Sequence, residues 1–194
     1  MVIDIYKIPY GVATSRLTNY EPLYFFQKNT SDTACAAVSG IQDLLLMVVA
    51  IVATFGAAWV NTWFNPGNWY ASLVRPPLVP PNWVFGPVWS LLYTLMAIAA
   101  VMVLRAGFSR PDVRIATALY AVQILLNGTW SWLYFGEHLI GWAVVNIVLL
   151  LCSIFLTARA FGKIRPWAGR LMCPYLAWIG FATYLNAGFF WLNE

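Results

Sequence analysis

The sequence predicts an all-α, polytopic membrane protein built as a bundle of five transmembrane helices. Of its 194 residues, 61% are hydrophobic and only 9% are charged, whereas soluble domains carry about 25% charged residues. Charge-free apolar stretches of about 20 residues recur along the chain, and none shows the alternating polarity of a membrane β-strand. The five predicted spans are Leu44–Trp63, Trp83–Leu104, Ile115–Phe135, Leu139–Ala158 and Leu171–Asn193.

The first 40 residues differ from the rest. They mix aromatic and polar side chains without a helical period, and three acids offset three bases. The segment lacks the apolar core and cleavage site of a secretory signal. We predict that residues 1–40 are a poorly ordered N-terminal tail, or the result of an early start codon. Residues 41–194 are predicted to form one five-helix membrane domain with short joins.

Basic residues are distributed unequally between the two ends of the predicted bundle. Ten of the eleven Lys and Arg residues lie in the N-terminal segment, the second loop and the fourth loop, and Arg75 in the first loop is the exception. This asymmetry predicts a multi-pass protein whose first loop and C-terminus lie opposite its N-terminus. We expect a bacterial cell-envelope membrane, or the mitochondrial outer membrane in a eukaryote. The net charge of +4 follows from this asymmetry, so no nucleic-acid partner is expected.

The spans lack the groups that several kinds of membrane protein need. None of the five contains Asp, Glu, Lys, Arg or His, which argues against a proton- or sodium-coupled carrier and against acid–base catalysis. No phosphate-binding GxxxxGK[ST] motif occurs. The three cysteines have no metal-ligand spacing, so no metal site is expected.

The first loop is rich in proline. Between Trp69 and Trp89 the chain has five prolines interleaved with aromatic residues. Paired prolines make a stiff, extended segment that cannot continue a helix. Two interpretations follow: a rigid connector with interfacial tryptophans, or a lid over a flat hydrophobic ligand.

Neutral polar residues within the spans share helix faces. Gln123 and Asn127 lie four residues apart, and a buried carboxamide needs a partner, so we expect this face to point into the bundle. It either joins helices or contacts a ligand. In the last span Trp178, Ala182 and Asn186 recur every four residues. The large ring beside a small residue leaves room for a planar group, or reflects ordinary packing.

Three blocks of sequence occur in a characteristic order. They are Trp69-Tyr70…Arg75-Pro76-Pro77…Pro80-Pro81…Trp83…Trp89…Tyr93, then Gln123…Asn127…Trp130…Phe135-Gly136, then Pro174-Tyr175-Leu176-Ala177-Trp178…Ala182…Leu185-Asn186. Over about residues 41–193 the chain resembles the translocator protein family, also called tryptophan-rich sensory proteins or peripheral-type benzodiazepine receptors.

The resemblance implies a five-helix membrane bundle, commonly a homodimer, with a pocket beneath the first loop. Members bind porphyrins, including protoporphyrin and haem, and isoquinoline or benzodiazepine-type drugs, and some bind sterols. No cofactor is required, and a porphyrin or haem is the expected ligand. The implied ligand-binding residues are Tyr70, Trp83, Trp89, Tyr93, Asn127, Trp178, Ala182 and Leu185.

Tetrapyrrole sensing, sequestration or transport is therefore the expected function. One alternative is an enzyme that degrades protoporphyrin with light and oxygen, for which the resemblance implicates Trp89 and Trp178. Another is a sterol- or lipid-binding, or structural, membrane protein. Ala187 follows Asn186 where animal members place a tyrosine, which argues against sterol binding through that motif. Leu78 and Val79 replace an aromatic residue between the proline pairs, so the lid is more aliphatic.

Overall fold

The computed structural model describes residues 40–59, 63 and 67–194, and its regular secondary structure within these ranges is helical throughout. The predicted all-α class is confirmed. Residues 1–39 of the predicted tail and residues 60–62 of the first predicted span lie outside the described residues. The elements are α1 (Gly40–Trp59), α2 (Gly67–Ser72), α3 (Asn82–Leu104), α4 (Pro111–Ser131), a π-helical turn (Trp132–Gly136), α5 (Ile140–Ile164), α6 (Pro166–Leu171) and α7 (Cys173–Asn193).

Within the described chain, α1, α3 and α5 are long and apolar enough to cross a membrane. The chain is thus an integral membrane protein, as predicted. Helices α4 and α7 have 21 residues each, but they are not among these three. Side chains such as Gln123 and Asn127 in α4, and Asn186 in α7, make them less apolar. That five helices cross the membrane stays a prediction.

Helices α4 and α5 extend beyond the predicted spans because helices tolerate charge at their ends. Helix α4 begins at Pro111, four residues before the predicted start, since proline is accepted in the first helical turn. Helix α5 continues to Ile164, past the predicted end at Ala158. The charge on Lys163 in its last turn is favourable at a helix C-terminus, and the Arg159 guanidinium lies over the Phe155 ring.

Helix α5 occupies the centre of the bundle and packs against α3, α4, α6 and α7. Its neighbour α4 is joined to it by the π-helical turn and a tight connection in which His138 has a positive φ of 58°. Helix α1 adds to this bundle through a buried contact of 2.6 Å between Thr54 Oγ1 and Tyr120 Oη. The core contains the fully buried side chains of Met96, Phe161 and Tyr175.

Helix α6 lies very close to α5 at a pair of glycines. A Cβ atom added to Gly169 would lie 2.7 Å from Gly162 Cα and 2.8 Å from the Ala158 carbonyl oxygen. Backbone atoms cannot move aside as a flexible side chain can. The two helices therefore require glycine at position 169.

We expect Gly169→Ala to lower the free energy of unfolding by about 1–3 kcal/mol, a typical cost of overpacking. Thermal unfolding in detergent, followed by circular dichroism, measures this loss. Gly162→Ala is the matched control, because its added Cβ meets Gly169 Cα at 3.8 Å, an ordinary contact. Equal melting temperatures for the two variants would contradict the expected difference.

Candidate ligand-binding site

A cavity of about 750 Å³ lies where α1, α2 and α3 meet the end of α4. Most of its wall is aromatic, and the other polar side chains on it are asparagine, serine and threonine. The lining residues are Phe55, Ala58, Trp59, Tyr70, Asn82, Phe85, Gly86, Trp89, Ser90, Tyr93, Thr94, Trp130, Ser131 and Phe135. A volume of this size is within the range of cofactor and drug sites, about 300–1,000 Å³.

Helix α3 forms one wall of the cavity with a stripe of residues that repeats every three or four positions. Gly86, Ser90 and Thr94 leave space along this stripe. The hydroxyl groups of Ser90 and Thr94 donate hydrogen bonds to carbonyl oxygens of their own helix, at 2.9 and 2.8 Å. Because both hydroxyls are satisfied, this wall presents a mainly apolar surface to a ligand.

Trp89 and Tyr93 form a stacked pair on the same wall. Their ring centroids are 5.4 Å apart, with an angle of 28° between the planes. Tyr175 lies behind Trp89 in an edge contact at 6.2 Å. Aromatic faces of this kind favour planar apolar ligands, since offset stacking adds to the free energy of burial.

Asn127 lies beneath this aromatic wall and joins three helices. Its Oδ1 accepts a hydrogen bond from Tyr93 Oη at 2.7 Å, and its Nδ2 donates one to Tyr175 Oη at 2.9 Å. The predicted inward orientation of this face is confirmed, because Asn127 and Gln123 are both buried. Asn127 therefore links α3, α4 and α7 and holds Tyr93 in its position on the wall.

Helix α7 contacts residues of the cavity wall from the side facing away from the cavity. Trp130 on the wall donates a hydrogen bond from Nε1 to Asn186 Oδ1 at 2.8 Å. Trp178 packs edge-on against Phe85, a wall residue, with ring centroids 5.8 Å apart. Asn186 and Trp178 thus contact wall residues without belonging to the wall themselves.

The eight residues singled out from the sequence fall into two groups. Tyr70, Trp89 and Tyr93 line the cavity, and five others do not: Trp83, Asn127, Trp178, Ala182 and Leu185. Trp83, in the first turn of α3, is 76% exposed. The ligand-binding role of all eight stays a prediction.

Sequence reasoning missed the wall that α1 contributes. Phe55 and Trp59 lie four residues apart and line the cavity together with Ala58. Their spacing fits a helix, but in so apolar a span it does not show which face meets the protein. Sequence reasoning also missed Phe135, because its place on the cavity wall depends on the π-helical turn.

The proline loop is fastened to the end of α7. The Val74 backbone N–H donates to Asn193 Oδ1 at 2.8 Å, and Asn193 Nδ2 donates to the Val74 carbonyl oxygen at 3.0 Å. Beside this pair, buried Pro76 packs on Gly188 so closely that an added Cβ would lie 2.7 Å from Pro76 Cβ. We call these contacts the loop latch. They hold the loop in one position next to the cavity.

Helix α2 brings aromatic rings of the first loop onto the α4–α5 connection. Trp69 stacks on His138, with ring centroids 4.0 Å apart and 16° between the planes. Tyr70 lines the cavity and lies beneath the guanidinium of Arg75, at 5.6 Å from Cζ to the ring centroid. Burial raises the pKa of Tyr70, and the positive charge of Arg75 partly opposes this shift. Tyr70 is therefore a neutral phenol at physiological pH.

Together, these features define an all-helical integral membrane protein with an aromatic cavity beneath a fastened proline loop. Residues 44–192 match the model of the TspO/MBR family, and the chain belongs to this family.

Individual relatives agree with this assignment. The chain is 37% identical to "Tryptophan-rich protein TspO" of Chlorobaculum tepidum over 155 residues, which cover 78% of this chain and 98% of the relative. It is also 37% identical to "Protein CrtK" of Rhodobacter capsulatus, over 78% of this chain and 94% of the relative. The human "Translocator protein" is 40% identical over 61% of this chain and 71% of the relative.

Proposed function

We propose that this protein binds tetrapyrroles, such as protoporphyrin IX or haem, in the cavity beneath the first loop, and thereby senses, sequesters or moves them. The observation that carries the proposal is the stacked Trp89–Tyr93 pair on the wall of a cavity of about 750 Å³. A planar macrocycle matches such a wall in shape and polarity. The name of the human relative, a translocator protein, supports this class of function.

The proposed binding energy comes from burial of an apolar ring system between aromatic faces. Each well-placed aromatic contact contributes about 0.5–1.5 kcal/mol beyond burial of its area. Tyr70 and Phe135 on other parts of the wall allow contacts from more than one side. No resident cofactor is needed in this proposal, since the tetrapyrrole is itself the ligand.

In the membrane, we propose that α1, α3, α4, α5 and α7 all cross the bilayer as one five-helix bundle. Asn127 in α4 and Asn186 in α7 support this, because each makes a cross-helix hydrogen bond that lowers the cost of placing its carboxamide in hydrocarbon. The orientation inferred from basic residues, and the homodimer implied by the resemblance, stay predictions.

Filling the cavity from its α3 wall tests the proposed site. We expect Ser90→Phe to weaken protoporphyrin IX binding at least about tenfold, because the added ring takes up space that the macrocycle needs. Titration in the dark, followed by porphyrin absorbance, gives the dissociation constant. Ser90→Ala is the control, since it adds no volume. Equal affinities for both variants would contradict binding in this cavity.

Illuminating the same protein–porphyrin samples distinguishes a binding protein from the enzymatic alternative. A binding protein leaves porphyrin absorbance stable apart from the loss seen with free porphyrin. Faster loss that Trp89→Phe abolishes would favour light- and oxygen-dependent degradation. Trp89 is the residue to replace because it lies on the wall, whereas Trp178 lies behind Phe85.

A further inference from the structure

Arg75 is placed where it can meet a charged group on a ligand in the cavity. Its guanidinium carbon lies 5.6 Å from the centre of the Tyr70 ring, and that ring is part of the cavity wall. The arginine itself is exposed and is not one of the residues that line the cavity, so its guanidinium lies over the Tyr70 ring next to solvent. A ligand that stacks on the wall would bring its periphery close to this guanidinium.

The backbone on both sides of Arg75 is fixed. Val74 exchanges two hydrogen bonds with the Asn193 side chain, and Pro76 is buried against Gly188. A residue before proline is also restricted to extended conformations. Because the loop latch holds both neighbours, the backbone at Arg75 needs little ordering when a ligand binds, which favours affinity.

The positive charge of Arg75 has no carboxylate partner within the described chain. The ion pair found there joins Arg110 and Asp112, before α4. Glu137, near the cavity end of the bundle, accepts a hydrogen bond from Trp132 Nε1 at 3.1 Å. The described titratable residues on the cavity wall are tyrosines. Arg75 is therefore available to an anion supplied by the ligand.

From these placements we infer that Arg75 binds a carboxylate of the ligand, so that the site selects planar apolar anions over neutral molecules of the same shape. This inference rests on the proposed function and extends it by naming the chemical class that the site prefers. A guanidinium donates two parallel hydrogen bonds to one carboxylate, an arrangement that a neutral ester cannot reproduce. The apolar ring lies in the cavity, and its charged edge lies at the mouth.

A comparison of two porphyrins tests this role. Protoporphyrin IX carries two carboxylates, and its dimethyl ester has the same ring without charge. We expect wild-type protein in detergent to bind the diacid about tenfold more tightly than the ester, because one charge-assisted hydrogen-bonded pair contributes about that much to affinity. Arg75→Gln should weaken diacid binding to the level of the ester and leave ester binding unchanged. Arg75→Lys should retain part of the preference, since it keeps the charge.

Two results would overturn the inference while leaving the proposed function intact. If Arg75→Gln weakens diacid and ester equally, the arginine acts only by holding Tyr70. If the wild-type protein binds both porphyrins equally, the site does not recognise the carboxylate. Absence of saturable binding of either porphyrin to the wild-type protein would overturn the proposed function and this role together.

Discussion

Replacing Asn127 by alanine is expected to lower the free energy of unfolding by about 2–4 kcal/mol. The substitution removes the hydrogen bonds to Tyr93 and Tyr175, and it does so at a site that is only 2% exposed. Both phenol groups lose this partner in a region that water does not reach easily. The melting temperature in detergent measures the change.

Variants that remove one hydrogen bond at a time separate the contributions of Tyr93 and Tyr175 to this bridge. Tyr93→Phe and Tyr175→Phe each remove one bond to Asn127 and keep the ring, so each should cost less than the alanine substitution. Asn82→Ala is the control for loss of a carboxamide, because Asn82 is exposed at the start of α3. If Asn127→Ala melts at the temperature of the Asn82→Ala protein, the bridge does not stabilise the bundle.

The second large effect is expected at the loop latch. Gly188→Ala places a Cβ atom 2.7 Å from Pro76 Cβ and 3.1 Å from Pro76 Cγ. A proline ring cannot rotate away, so the loop must shift away from α7, and Arg75, which directly precedes Pro76, shifts with it. We expect protoporphyrin IX affinity to fall about tenfold, a cost typical of lost preorganisation.

Gly180→Ala is the matched control, since it lies on the same helix and its added Cβ meets nothing within 4 Å. Asn193→Ala tests the other half of the latch by removing both bonds to Val74. It should weaken binding in the same direction. Unchanged affinity in both Gly188→Ala and Asn193→Ala would show that the latch does not position the site.

Much of the fold could be predicted because the bilayer restricts which residues a membrane-spanning segment can contain and which way its polar residues can face. Long charge-free stretches indicate helices, and the inward face of Gln123 and Asn127 follows from the cost of an unpaired carboxamide. The ends of α4 and α5 were predicted less well. A charge ends an apolar stretch in the sequence, but the helix continues through it, as at Arg159.

The site was only partly predictable because it depends on contacts between distant residues. Tyr70, Trp89 and Tyr93 were identified through the resemblance, and they do line the cavity. The latch pairs Asn193 with Val74, which are 119 positions apart, and no local pattern reveals such a pair. Trp83 was grouped with Trp89 by motif, but it lies in the exposed first turn of α3.

A structure of the protein in complex with protoporphyrin IX would locate the ligand. We predict a macrocycle in the cavity, stacked near Trp89 and in contact with Tyr70, with a carboxylate within hydrogen-bond distance of the Arg75 guanidinium. A macrocycle bound against the exposed Trp83, with the cavity left unoccupied, would contradict the proposed site.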